Sequence, residues 1–236
     1  MALILNIETS TEVCSVSLAE NGILLHKKES AEGMNHSRLL TVFIEELFAE
    51  NNISLKKLNA VAVSKGPGSY TGLRIGVSVA KGLCYGLGIP LISVNSLESL
   101  GNYTALNTTQ FFDIKPVSEP LFCPMIDARR MEVYTALYNS AGEEIKPISA
   151  EIITEEFLLP ELEKHPVLFF GDGAAKCKNV LTHPNAIFAG PEATSAVFMQ
   201  QLSKKKFQLQ QFEDVAYFEP FYLKNFVATI PKNKVF

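Results

Sequence analysis

Two stretches of this chain, half its length apart, run through the same order of elements, and that repeat limits the fold more than any single motif. Leu3 to Glu8 is an apolar, strand-forming run ending in an acid. Thr9-Ser10-Thr11-Glu12 turns the chain, and Val13 to Ala19 then alternates apolar with small polar residues as a half-buried strand does. Glu20-Asn21-Gly22 suits a hairpin turn that needs positive φ, and Ile23 to Lys28 supplies a third strand. The order returns at Pro124 to Asp127, with a turn at Ala128 to Glu132, an alternating strand at Val133 to Tyr138, a turn at Ser140-Ala141-Gly142 and a third strand from Glu143. Glu8 then matches Asp127, Val13 matches Val133 and Gly22 matches Gly142, an offset of about 120 residues with one residue inserted in the second turn.

The match continues beyond these meanders. His36, Leu39, Leu40, Phe43, Ile44, Leu47 and Phe48 recur at helical spacing, and the buried strand Ala60 to Ser64 then runs through Lys65 to Ser69 into a second helix. In the second half a helix is expected from Thr154 to Lys164, a buried strand at Val167 to Phe170 and a glycine loop at Gly171 to Ala175. Pro90 to Val94 then leads to a helix from Ser96, and Ala186 to Ala189 leads to one from Thr194 to Leu202. Three strands followed by α-β-α-β-α, occurring twice, predicts an α/β chain with two lobes of βββαβαβα type. This is the ribonuclease H-like unit as duplicated in actin-like (ASKHA) proteins, the alternative being one large doubly wound sheet. The chain's 236 residues suit two lobes of about 100–120 residues each. The expected lobes are 1–105 and 106–236, joined by the Asn-, Thr- and Ser-rich stretch from Leu100 to Pro120, which includes Pro116. The aromatic tail beyond Glu219 is expected to pack back onto a lobe.

A net charge of −4 excludes a globally basic nucleic-acid binder. The uncharged stretch from Gly82 to Ser96 is too short, and too broken by Gly86, Gly88 and Pro90, to span a bilayer, so no membrane role is expected. The N-terminus reads as a first strand rather than a signal peptide. Cys14, Cys84, Cys123 and Cys177 form no Cys-x-x-Cys pair and are expected to be buried free thiols in a reducing cytoplasm. His26, His36, His165 and His183 never pair at i, i+4, so no metal site is expected, and no Gly-x-Ser-x-Gly elbow offers a nucleophile. Lys204-Lys205-Lys206 is read as a solvated helix end.

Two sets of residues are candidates for function. In an actin-like ATPase, hairpin turns hold phosphates, and Glu8, Thr9 and Ser10 stand where the first such turn would be. That turn has no glycine, and its counterpart Ala128-Arg129-Arg130-Met131 is bulky and charged, so both are poorly equipped. Gly66, Gly68 and Ser69 lead into a helix N-terminus that could face an anion, although no P-loop Gly-Lys-Ser/Thr follows. The second set is a pair of helices. Gly72, Gly76 and Ala80 lie four residues apart, and each glycine costs roughly 1 kcal/mol relative to alanine. Either the stripe packs on the chain's own sheet, or it meets a partner helix together with Arg74 and with His36, Leu39, Leu40, Phe43 and Leu47 of the first helix.

Ile4 to Thr11 with Cys14-Ser15-Val16-Ser17-Leu18, Asn35-His36-Ser37, Lys65 to Gly76, Ile126 to Arg129 with Glu132-Val133-Tyr134, and Glu219-Pro220 with Tyr222 to Asn225 together resemble the TsaB (YeaZ-like) family over nearly the whole chain. Glu8, Lys65 and Tyr70 stand where that family commonly has Asp, Arg and Phe. The resemblance implies a catalytically inactive subunit of the bacterial complex that places threonylcarbamoyl on N6 of adenosine 37 in tRNAs reading ANN codons. It also implies pairing through the N-terminal helices with a catalytic actin-like paralogue, TsaD, with an ATPase, TsaE, joining the pair. ATP and Mg would be used by the complex, with no cofactor held tightly by this chain alone, and tRNA would be met through the complex. An uncovered helix pair would also let the isolated chain form a homodimer. The competing readings are an autonomous actin-like ATPase or kinase and a glycoprotease-like metallopeptidase.

Overall fold

The computed structural model describes residues 1–33, 35–111 and 118–224. Pro116 and Asn225 lie outside them, as does the rest of the tail. The first half runs β1 (Leu3–Glu8), β2 (Cys14–Glu20), β3 (Ile23–Ser30), α1 (His36–Glu50), β4 (Ala60–Gly66), α2 (Tyr70–Leu87), β5 (Leu91–Asn95) and α3 (Ser96–Leu106). The second half runs β6 (Leu121–Asp127), β7 (Glu132–Tyr138), β8 (Glu144–Ile152), α4 (Leu159–Leu162), β9 (Val167–Phe170), β10 (Ala186–Phe188) and α5 (Gln200–Gln208). The sheets have orders β3-β2-β1-β4-β5 and β8-β7-β6-β9-β10, so the second repeats the first strand for strand. The fold is the duplicated actin-like one.

Strand alternation corrects two details of the repeat. Glu8 pairs with Ser15 and Asp127 with Val133, so the second turn is the shorter by one residue. Glu8 shares a face of β1 with Ile4 and Asn6, whereas Asp127 shares a face of β6 with Leu121, Cys123 and Met125. One residue of slip reverses the side, so the two acids are not equivalent.

The second-lobe helices fall short of expectation. Thr154 to Lys164 yields only the four residues of α4, because Leu158 has a left-handed φ of 55° and Pro160, in the first turn of α4, has no N–H to bond back to an earlier turn. Pro166 closes the other end. Thr194 to Leu202 becomes a 3₁₀ turn, Ala196–Met199, leading into α5, with the Ser195 side chain accepting from the Val197 N–H.

The lobes exchange helices. Leu100 and Ala105 of α3 pack on Phe122, Ala136, Tyr138, Leu168 and Phe170 of the second sheet. Met199 and Leu202 pack on Ile4, Ala60, Ala62, Ile92 and Val94 of the first. Gly101 lets α3 lie flat on Tyr138, whose Cδ2 would be 2.5 Å from an added Cβ. Thr11 and Thr194 hydroxyls meet at 2.9 Å, and Ser17 Oγ donates to the Ala196 carbonyl. From Glu213 onward the chain returns along the first lobe: the Glu213 N–H donates to Leu91 O on the β5 edge, and Val215 and Phe218 join the core beneath α1 and α2. All four cysteines are unpaired and buried.

Candidate functional site

The turn after β1 is a closed structure. Glu8 is fully buried, and one of its oxygens accepts the Ser10 N–H at 2.6 Å. The Thr9 N–H reaches Ser64 Oγ at 3.3 Å, and the Ser69 N–H donates to Ser10 O at 2.6 Å. Two backbone donors that could cradle a phosphate here, those of Thr9 and Ser10, are therefore spent inside the protein. Burial raises the Glu8 pKa, and the hydrogen bonds from Ser10, Ser64 and Thr9 only partly oppose it. Its other oxygen, Thr9 Oγ1, Ser10 Oγ and both Asn6 amide atoms are buried without a protein partner.

The loop Gly66, Gly68, Ser69 lies directly on this turn. A Cβ on Gly68 would stand 2.2 Å from Ser10 O. The Ser69 side chain accepts the Gly72 N–H and caps α2, so that helix N-terminus is occupied by its own residue. The returning tail seals the outside: the Phe221 N–H donates to Lys65 O at 2.7 Å, and the Tyr222 ring lies 4.8 Å from that of Tyr70. Arg74 sits over Tyr70 at 5.0 Å. Sequence reasoning did not say which loop the residues after Glu219 would cover.

The glycine stripe has a partner within the chain. A Cβ on Gly72 would lie 2.1 Å from Thr9 O, and one on Gly76 would lie 2.3 Å from Thr9 Oγ1. The backbone that approaches α2 is therefore the β1–β2 turn, and the partner-helix reading of Gly72 and Gly76 is corrected. Ala80 is buried in the same core as Leu40 and Leu47, so these three face inward as well. His36 is buried with its Nε2 3.3 Å from Val13 O, tying the start of α1 to the end of the β1–β2 turn.

Of the nine residues expected on a partner face, Leu39, Phe43 and Arg74 reach the surface. Sequence reasoning missed their neighbours. Ser78, Gly82 and Gly86 lie four residues apart on the exposed side of α2, and open space lies above both glycines. Tyr85 is 86% exposed and Val42 of α1 is 41% exposed. The Gly82–Gly86 spacing was as visible as Gly72–Gly76, but only the inward run Val77, Ala80, Cys84 tells which stripe faces out.

The second-lobe turn is open by contrast. Arg129 and Arg130 both have positive φ, 71° and 52°, and both are exposed. Asp127 accepts the Arg129 N–H at 2.7 Å and the Lys176 ammonium at 2.5 Å. Asp172 accepts the Asp127 N–H; it is reachable by solvent but hemmed in by protein. That desolvation, with Asp127 and Glu12 adding negative charge, pushes its carboxyl up to about 6. Among the described residues no group of three or more His, Cys, Asp or Glu could hold a metal ion, and no helix is long and apolar enough to cross a membrane. Lys206 is not a solvated residue as expected: it is half-buried and donates to Ser93 O at 2.8 Å.

A model of the family described as tRNA N6-adenosine threonylcarbamoyltransferase (TsaD) matches residues 29–232. The tRNA threonylcarbamoyladenosine biosynthesis protein TsaB of Haemophilus influenzae is 28% identical over 234 residues, covering 95% of this chain and 94% of that protein. The protein of that name from Bacillus subtilis is 32% identical over 181 residues, covering 75% and 74%. YeaZ from Pseudomonas aeruginosa superposes with a TM-score of 0.76 at 25% identity, covering 94% of this chain and 100% of that one. By sequence and by architecture, the chain belongs to the TsaB (YeaZ-like) family.

Proposed function

We propose that the protein serves tRNA threonylcarbamoyladenosine biosynthesis as a non-catalytic subunit. It would pair with and activate a catalytic TsaD paralogue that modifies adenosine 37 of ANN-decoding tRNAs, with TsaE as a further partner. Family membership supports the pathway. The observation that carries the non-catalytic role is the sealed β1–β2 turn. Its amides bond to Glu8 and Ser64, Ser10 O accepts from Ser69, and Gly68, Gly72 and the returning tail close over it. ATP and Mg then belong to the assembled complex rather than to this chain.

The pairing surface is the outer face of α1 and α2. A Cβ added at Gly82 or Gly86 would meet nothing within 4 Å, so glycine at these positions serves no close approach inside the protein. Bare backbone beside Val42, Leu39, Phe43 and Tyr85 fits the close approach of another helix. The same face would join two copies of the isolated chain.

The test mixes purified chain with the catalytic paralogue. A stable heterodimer is expected, and Gly82→Leu should weaken it at least tenfold while the unfolding midpoint stays within a few degrees of the parent. Calorimetry on the isolated chain with Mg-ATP should give no micromolar site. A micromolar site would instead favour the autonomous ATPase reading.

A further inference from the structure

The two lobes differ in what covers the outer face of each sheet. On the first, α1 lays Leu40, Ile44, Leu47 and Phe48 over the strands. On the second, the corresponding place holds only the four residues of α4. Strand β8 also bends away there. It pairs Ser149 with Thr135 and then Lys146 with Leu137, leaving Pro147 and Ile148 bulged opposite Ala136.

The short helix and bent strand leave a cavity of about 400 Å³, with Leu137 and Leu158 in its lining and Lys146, Glu151 and Glu156 around it. A second cavity of about 370 Å³, lined by Leu121 and Ile145, opens beyond Pro160 and Glu161, which border both. Glu161, which borders both, pairs with Lys146 of the first cavity at 2.7 Å, and its other oxygen is buried and unpaired. Apolar side chains stand in water around this groove: Ile145 of β8 is 48% exposed and Leu159 of α4 36%.

We propose that this groove docks an amphipathic helix of a partner protein. Its apolar stripe would enter between β8 and α4, and its flanking Lys or Arg residues would meet Glu151, Glu156 and Glu161. Three features select this occupant. The groove occupies the place that a helix fills in the first lobe. Addition of a strand to the β8 edge is blocked by the bulge at Pro147, which interrupts the ladder and offers no N–H. Three glutamates against the single Lys146 in the larger cavity favour a basic helix. That balance also disfavours a second copy docking through α1, whose outer side carries Glu45, Glu46 and Glu50 against the one Lys28 that bonds the last two. The site lies on the lobe opposite the α1–α2 face and does not depend on pairing there.

Two synthetic peptides serve as probes. Both keep apolar residues at the spacing of Leu40, Ile44, Leu47 and Phe48; one carries Lys and Arg elsewhere, the other Glu. Fluorescence anisotropy with the full chain should show the basic peptide binding at least tenfold more tightly than the acidic one. Ile145→Asp, at a site already in water, should weaken the basic peptide at least tenfold, and Glu151→Lys with Glu156→Lys should reverse the preference between peptides. No binding, equal binding of both peptides, or indifference to Ile145→Asp would overturn the proposal. So would self-association of the chain that Ile145→Asp abolishes, since the occupant would then be a second copy. Heterodimer formation through α1 and α2, measured on the same variants, should be unchanged, so failure here is distinguishable from failure of the pairing role.

Discussion

The two lobes share a strand order and almost nothing else. In the first, α1 and α2 cover the outer face of the sheet, α5 covers the inner face, and the returning tail closes the β5 edge. In the second, the outer face is left partly open, and the turn after β6 stands in solvent on two arginines with positive φ. The difference teaches what a duplicated topology preserves. Strand order is held by ladder hydrogen bonds and by the period of two, which tolerate much sequence change. Helices erode wherever prolines enter, as around α4.

The contrast breaks most sharply at the sealed turn. Gly72→Leu should cost about 4 kcal/mol or prevent folding, because the new Cβ would lie 2.1 Å from the Thr9 carbonyl oxygen, which is backbone and cannot rotate away. Urea unfolding checks this. A loss below about 1 kcal/mol would mean that the turn is not held where it stands. Next comes the helix pair. Leu47→Ala in α1, at 1% exposure, should cost about 3 kcal/mol, whereas Leu159→Ala in α4 should cost under about 0.5 kcal/mol. Equal costs would remove the claim that the second outer face is loosely covered.

The repeat was legible because its signals are local: alternation in Val13 to Ala19 and in Val133 to Tyr138, and punctuation by Gly22 and Gly142. What was not legible is long-range. Nothing local says that α3 packs on the second sheet, since Leu100 is equally apolar wherever it goes. The glycine spacing marked α2 as a helix approached closely, but Gly72 and Gly76 carry no label saying that Thr9 is the neighbour. The turn's lack of glycine is visible in the sequence, but the hydrogen bonds that occupy it join segments far apart in sequence, Thr9 to Ser64 and Ser69 to Ser10.

Gly82→Ala sharpens the distinction between the two glycine stripes. With open space above it, the substitution should stabilise the isolated chain by about 0.5–1 kcal/mol through reduced freedom of the unfolded state. Destabilisation in urea would mean that this position, like Gly72, is occupied within the chain.

The last contrast concerns one acid in each lobe. Glu8 and Asp172 both have raised folded pKa values, chiefly because burial strips water from the carboxylate. The folded chain then binds more protons than the unfolded one between the two values. Stability is therefore greatest below the unfolded pKa and falls as pH rises through the folded one. For Asp172 that window runs from its ordinary 3.8 to about 6, and solvent access keeps the change small. For Glu8 the window opens at its ordinary 4.5 and extends upward, with no solvent to screen it. Glu8→Gln keeps an oxygen to accept the Ser10 N–H and removes the ionisation. Its urea midpoint should match the parent's at pH 4 and exceed it at pH 8. Asp172→Asn should make its smaller gain by pH 7 and add nothing above. A Glu8→Gln midpoint below the parent's at pH 8 would mean that the buried carboxylate is charged and stabilising. The β1–β2 turn would then be an ionic site like the open turn of the second lobe, and not its sealed counterpart.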